Sequence, residues 1–208
     1  QKLTADGLDE TFATNVAGHL LLADELSEHL EPGAVVITIG SGTHDPANKL
    51  ARRAGFAGAD FTSAAAAMRG ESTRPERDER GRALDRYATS KLCAIYHAAA
   101  AATEPAFADV RFYCFDPGLM PGTGLARQQN AAVRFVWKRI MPVLAGFAEG
   151  VSTPERSARF LVDRLILGPR EYPSGGHIEF TGKPAPASNE AEDLSTAKRF
   201  LIEARAMP

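Results

Sequence analysis

Two short runs restrict the folds open to this chain more than anything else in it. "AVVITI", Ala34–Ile39, and "VRFYCF", Val110–Phe115, are dominated by β-branched, aromatic and apolar residues without polar alternation. Runs of this kind mark strands buried on both faces rather than strands with one wet side. Pro32 and Gly33 precede the first run and Gly40 follows it, while Pro117 and Gly118 follow the second. Breakers at these places keep both runs to strand length. Between them, "DRYATSKLCAIYHAAAAAT" at residues 85–103 is alanine-rich and free of breakers, which predicts a helix. Strand, helix, strand in this order needs a crossover, so the strands pair in parallel with helices on the sheet faces.

The rest of the chain has the same grammar. Leu8, Phe12, Val16, Leu20 and Leu21 recur at helical spacing within residues 3–30. "STPERSARFLVDRLIL" starts as helices start, with Ser152 or Thr153 as cap, Pro154 in the first turn and Glu155 behind it. "GGHIEFTG" predicts a third short strand, and "EAEDLSTAKRFLIEARAM" a closing amphipathic helix. Residues 128–147 read as helix, bent or split at Pro142. Residues 43–84 keep no sustained period, and about 44–84 is expected to form an insertion with one short helix. Its mixed charges from Arg74 to Arg82 read as a solvated loop, and with its glycines they suggest mobility.

Composition excludes several partners. The net charge of −2 over 208 residues gives no basic field for nucleic acid or an anionic membrane. No apolar run approaches the roughly 20 residues of a membrane span. The chain opens at Gln1, and its first residues have no signal-peptide pattern. Cys93 and Cys114 each sit in an apolar run and read as buried small hydrophobes in a reducing, cytoplasmic setting rather than as a disulfide.

In parallel sheets ligands sit beyond the carboxyl ends of the strands. Gly40-Ser41-Gly42 and Asp116-Pro117-Gly118 occupy those places. Tyr87 and Lys91 lie four residues apart, one turn apart on one helix face. A free phenol titrates near 10 and is a poor acid–base at neutral pH. An ammonium beside it favours the phenolate and lowers that value, which suits general acid–base catalysis. Alone, Tyr-x-x-x-Lys is a weak pattern, common by chance in helices. His19, His29 and His97 have no metal-ligand spacing and read as core or surface residues. His44 either lines the substrate mouth or is a plain loop residue. Phe135, Trp137, Met141 and Phe147 read as core, or as an apolar lid.

The order of motifs is more specific. "TFATNVAGHLLL" carries Asn15, "VVITIGSGTHD" Ser41, "YATSKLCAIYH" Tyr87 and Lys91, and "FDPGLMPGTGL" Pro117 and Gly118. In this order they resemble the short-chain dehydrogenase/reductase superfamily, over nearly the whole chain. "TADGLDETFATNVAGHLLL" and the "PG…TGLAR" segment are most similar to its retinol dehydrogenase and protochlorophyllide reductase branch. The long connection between Ser41 and Tyr87, far shorter in classical members, also resembles that reductase and some carbonyl reductases.

The resemblance implies a Rossmann-type, doubly wound α/β fold in one catalytic domain over residues 1–208. The implied activity is hydride transfer between a nicotinamide cofactor, NADP(H) favoured over NAD(H), and a small apolar carbonyl or alcohol. Tyr87 would exchange a proton with the substrate oxygen, and Ser41 would donate a hydrogen bond to it. Lys91 would lower the Tyr87 pKa and hold the nicotinamide ribose, and Asn15 would hold a relay water. In reduction of a carbon–carbon double bond, Tyr87 would protonate carbon and Ser41 would matter less. Pro117, Gly118 and the Met120 amide would wall the nicotinamide site. Thr123 stands one place beyond the family's usual threonine position, which Gly122 occupies.

No glycine-rich diphosphate turn precedes Asn15, so the chain reads as the C-terminal two-thirds of that fold. The working protein is then expected to carry roughly 80–100 further residues before Gln1, since each strand–helix–strand unit takes about 30 or more. Expressed without them, the chain is expected to aggregate and to bind neither NADPH nor NADH. A homo-oligomer is compatible with this class. The rival readings are a non-catalytic cofactor-binding or interaction protein, and a biosynthetic enzyme using the tyrosine for ring closure or dehydration.

Overall fold

The computed structural model describes residues 1–121 and 150–206. Three parallel strands, β1 (Val35–Ile39), β2 (Arg111–Asp116) and β3 (Gly176–Glu179), lie side by side in that order. Ile39 stands opposite Phe115, and Cys114 opposite His177. The runs expected to be strands are strands, and their parallel pairing follows from the helix between them. The segment 128–147 lies outside the described residues.

The first helical rod consists of α1 (Glu10–Phe12), a π-helical turn (Ala13–Ala17) and α2 (Gly18–Glu25), without a break in helical backbone. It starts at Glu10 rather than near residue 3. Asp9 provides the reason, since its carboxylate accepts the Thr11 and Phe12 amides, at 3.0 and 3.2 Å. The residues before it fold back, with the Thr4 amide on the Leu8 carbonyl.

The segment 44–84 holds two short helices where one was expected, α3 (Lys49–Arg53) and α4 (Ala64–Arg69). Its last charged residues belong to the next helix. This helix, α5 (Glu79–Ala101), begins before Asp85 because the Asp78 carboxylate caps it through the Gly81 amide, at 2.7 Å. After β2 come α6 (Pro154–Phe160), which continues as a π-helical turn (Leu161–Ile166), then β3 and α7 (Leu194–Arg205). Thr153 caps α6 and Pro154 takes its first turn, as the sequence predicts.

Helices cover both faces of the sheet, giving a partial Rossmann-type α/β arrangement. On one face Val36, Phe112 and Cys114 pack with Leu92, Ile95 and Tyr96 of α5, and with Phe200 of α7. On the other, Tyr113, Phe115 and Ile178 pack with Phe160 and Leu165. Cys93 and Cys114 are buried and unpaired. None of the described helices is long and apolar enough to cross a membrane.

β1 is less buried than its composition predicts. Ile39 is 46% exposed and Val35, Val36 and Ile37 are half-buried. Among the described strands β1 is an edge, with β2 as its one neighbour, and the α6 side centres its cover on β2 and β3.

Helix α7 offers a test of this packing, because its two faces differ sharply. Phe200 is 0% exposed and Ile202 69%. Phe200→Ala is expected to cost about 3–5 kcal/mol, and Ile202→Ala under about 0.5 kcal/mol. Urea denaturation of both variants checks the pair, and equal losses would mean that α7 docks by another face.

Candidate active site

The first positioning device is the register of β1 on β2. The Gly40 amide bonds to the Phe115 carbonyl at 2.8 Å, so the loops after both strands leave the sheet at one level. The second is the seat of α5. The Thr38 hydroxyl, pointing from β1, donates to the Ala94 carbonyl at 3.0 Å and sets the height of the helix on the strand. Gly40 permits the close approach. A Cβ there would meet the Cys114 sulfur at 2.7 Å and His177 Nε2 at 3.1 Å.

With strand ends and helix so placed, Tyr87, Ser41 and Lys91 come together. Ser41 stands close enough to Tyr87 for its side chain to act on the phenol. Lys91 Nζ donates to the Ile39 carbonyl at 2.9 Å, one residue before Gly40, and lies over the Tyr87 ring, 5.5 Å from its centroid. The ammonium therefore faces the ring rather than the phenol oxygen. This placement changes the expected electrostatics. Burial pushes the Tyr87 phenol above its ordinary value, Asp116 adds to the rise, and Ser41 opposes it. Burial lowers Lys91, against Cys114 and Asp116, which raise it. In the chain as described, Tyr87 holds its proton at neutral pH.

Asn15 sits in the π-helical turn of the first rod, a local irregularity often found at functional sites. Its amide donates to the Ser90 hydroxyl at 3.0 Å, and Ser90 donates to the Tyr87 carbonyl at 2.7 Å. Asn15 thus reaches the backbone of the tyrosine turn through Ser90.

On the β2 side, Gly118 has φ +73°, and a Cβ there would meet the Phe180 ring at 2.5 Å, so only glycine fits. The Pro117 carbonyl accepts from Ser157 of α6 at 2.7 Å. The Leu119 amide bonds to Gly150 and the Ser152 amide to Leu119, so Met120 follows a segment paired with residues 150–152. Thr123 lies outside the described residues.

Sequence reasoning placed Asp116 at the strand end without a role and missed three contributors. Asp116 accepts the Gly118 amide at 2.8 Å, and burial raises its pKa. His177 packs edge-on against His44, rings 5.5 Å apart, and burial pushes it down to about 3. The His44 Nδ1 lies 2.7 Å from the Ser41 carbonyl, so it is the protonated nitrogen. His44 is fully buried, so it is part of the loop's interior packing. Strand parity was the available signal for Asp116 and His177, because both fall on the α5 side of the sheet. Among the described residues no group of three or more His, Cys, Asp or Glu is placed to share a metal ion.

The other two contributors fasten the insertion. Asp85, with 2% of its side chain exposed, pairs with Arg77 at 3.0 Å and Arg74 at 3.3 Å. These arginines, expected to be solvated, turn inward because a buried carboxylate two residues before Tyr87 needs a partner. At Asp60 the carboxylate accepts from Ser72 and Thr73 within the insertion, and the amide donates to the Thr89 hydroxyl of α5 at 2.8 Å, a second anchor. So held, the insertion roofs the site. Phe56 packs on the Tyr87 ring at 5.9 Å, and Leu50 lies within van der Waals reach of a Cβ built on Gly150.

No family model matches the chain. No curated protein is significantly similar to it.

Asp85→Asn would leave both arginines facing an uncharged partner. We expect a loss of about 3 kcal/mol in denaturant and faster trypsin cleavage within 44–84. Unchanged cleavage would show that the ion pairs do not hold the roof.

Proposed function

We propose that this protein is an NAD(P)-dependent oxidoreductase of the short-chain dehydrogenase/reductase type, acting on a small apolar carbonyl or alcohol in the cytoplasm. The observation that supports this most is the convergence of the Tyr87 and Ser41 hydroxyls with the Lys91 ammonium at the carboxyl ends of parallel strands. A scaffold without turnover has no use for a half-buried phenol beside a serine beneath a fastened roof.

The donor set fits a nicotinamide nucleotide. Lys91 carries three N–H donors and spends one on Ile39 among the described residues. The others suit the vicinal hydroxyls of a ribose. Pro117 and Gly118, fixed by Ser157 and Phe180, form the adjoining wall. NADP(H) is favoured over NAD(H) by the resemblance of the motifs. When bound, this group supplies or takes the hydride.

The chain's residues manage the proton. Tyr87, kept protonated by burial, donates its hydroxyl proton to the substrate oxygen as negative charge develops there. Ser41 donates a hydrogen bond to the same oxygen and stabilises that charge. The protonated resting state of Tyr87 favours the reductive direction, from carbonyl to alcohol. Phe56 and Leu50 exclude water and give the mouth an apolar lining.

Tyr87→Phe in the full gene product is expected to lower kcat about 10²–10⁴-fold while leaving the fold and nucleotide binding intact. Ser41→Ala is expected to lower it about 10²-fold or more. A panel of apolar aldehydes and ketones with NADPH, followed by nicotinamide absorbance, checks both. Activity of Tyr87→Phe within a few-fold of wild type would remove Tyr87 from the mechanism.

Shortening the insertion between Asn48 and Arg74 is expected to change substrate range and KM more than cofactor affinity. An unaltered substrate profile would make the roof a surface excursion without a role in selection.

A further inference from the structure

Phe56 lies in the insertion, and two guanidiniums grip the chain on either side of it. Arg77 Nη2 donates to the Gly55 carbonyl at 3.0 Å. Arg74 donates from Nη1 to the Gly58 carbonyl at 3.1 Å and from Nη2 to the Ala59 carbonyl at 2.7 Å. Both arginines rest on Asp85. Arg77 forks its two oxygens, at 3.0 and 3.1 Å, and Arg74 Nη1 lies 3.3 Å from Oδ1. Asp85 belongs to α5 and precedes Tyr87 by two residues. One carboxylate on the tyrosine helix therefore fixes the guanidiniums, and these fix the backbone on both sides of Phe56. The Phe56 amide, on the Ala51 carbonyl at 3.1 Å, holds the same segment from α3. The Phe56 ring stands 5.9 Å from the Tyr87 ring, tilted by 49°, within the range of favourable aromatic contacts. Phe56 is half-buried, so part of its ring stays open.

We infer that Arg74 and Arg77 bracket Phe56 as positioning residues, and that Phe56 so held is a specificity-determining residue favouring substrates with an aryl ring on the carbonyl carbon. The selection rests on the proposed role of Tyr87, while the bracket does not.

An aryl ring conjugated with a carbonyl is held in its plane. The oxygen that Tyr87 protonates thus also sets the direction of the ring. Phe56 then meets a flat π-system through the offset or edge-to-face contacts that aromatic pairs prefer. A saturated ring of the same size offers similar area without those contacts. The contacts depend on angle and distance, so they need a Phe56 whose backbone does not drift. A guanidinium supplies this, because its planar fork can join a carboxylate to a carbonyl, whereas an ammonium is a point charge on a flexible stem.

The test uses the full gene product with Phe56→Leu and with the double variant Arg74→Lys/Arg77→Lys. Lysine keeps a positive charge beside Asp85. The two arginine side chains are 25% and 24% exposed, so an ammonium at either place reaches water. Without any substrate, the nuclear Overhauser effect between the Phe56 and Tyr87 rings reads the bracket. It is expected in wild type and lost in the double variant. An effect absent from wild type, or retained in the double variant, would overturn the bracket. Reduction of benzaldehyde and of cyclohexanecarbaldehyde with NADPH reads the selection. The ratio of the two kcat/KM values is expected to favour benzaldehyde and to fall about two- to tenfold in both variants. A purely structural loss would instead lower both values and leave their ratio. A ratio unchanged in Phe56→Leu would overturn the selection. Turnover of neither aldehyde by wild type would remove the proposed reductase and the selection with it, leaving the Overhauser effect to judge the bracket.

Discussion

The parallel register of β1 on β2 is the constraint on which the rest of this structure depends. With Ile39 opposite Phe115, the chain leaves both strands at one height, and Ser41 comes level with Asp116 and Pro117. A slip of one residue would turn Thr38 away from α5 and point the Cys114 row at the wrong core. The hydroxyl of Thr38 on the Ala94 carbonyl then transmits the same level to α5, and so to Tyr87 and Lys91. The site is the consequence of two fixed heights, one on the sheet and one on the helix. Motifs separated widely in sequence meet because both heights are set by buried bonds, which tolerate little displacement.

Low dielectric has opposing effects at this site. It raises Tyr87 and Asp116 and lowers Lys91, disfavouring each charged form. Asp116 tolerates its charge because the Gly118 amide solvates it, and Lys91 because a strand-end carbonyl does. Asp85 meets the same problem nearby with two arginines. For Lys91 and Asp85 the compensating group comes from a different segment of chain, so each of these charges also joins two elements. Electrostatics here acts as connectivity.

The architecture was legible in the sequence because continuous apolar runs and an alanine-rich helix leave few alternatives. Ser41, Tyr87, Lys91 and Pro117-Gly118 fell at the strand ends for the same reason. Several failures share a cause, namely a partner outside the segment being read. The β1 run could not disclose that its strand is an edge. The charges of Arg74 and Arg77 read as solvated because their partner, Asp85, is buried only once α5 has docked. Four-residue spacing put Lys91 beside the Tyr87 ring but said nothing of the Ile39 carbonyl, which draws the ammonium away from the phenol oxygen. The Thr153 cap was easier to find, because Pro154 and Glu155 follow it directly, whereas the caps at Asp9 and Asp78 were missed.

The insertion links substrate choice to proton chemistry. Burial is the largest cause of the raised Tyr87 pKa, and Phe56 contributes to that burial by packing on the ring. The residue that shapes the mouth over the phenol therefore also helps to keep the phenol dry. A wider mouth would admit larger substrates, but it would also admit water, strengthen solvation of the phenolate and weaken the preference for a protonated resting state. Loosening the roof and lowering the tyrosine pKa are thus one physical change. It follows that an insertion at this place must be fastened, as the Asp85 and Asp60 anchors fasten it, for one tyrosine to serve both as the floor of an apolar pocket and as a proton donor.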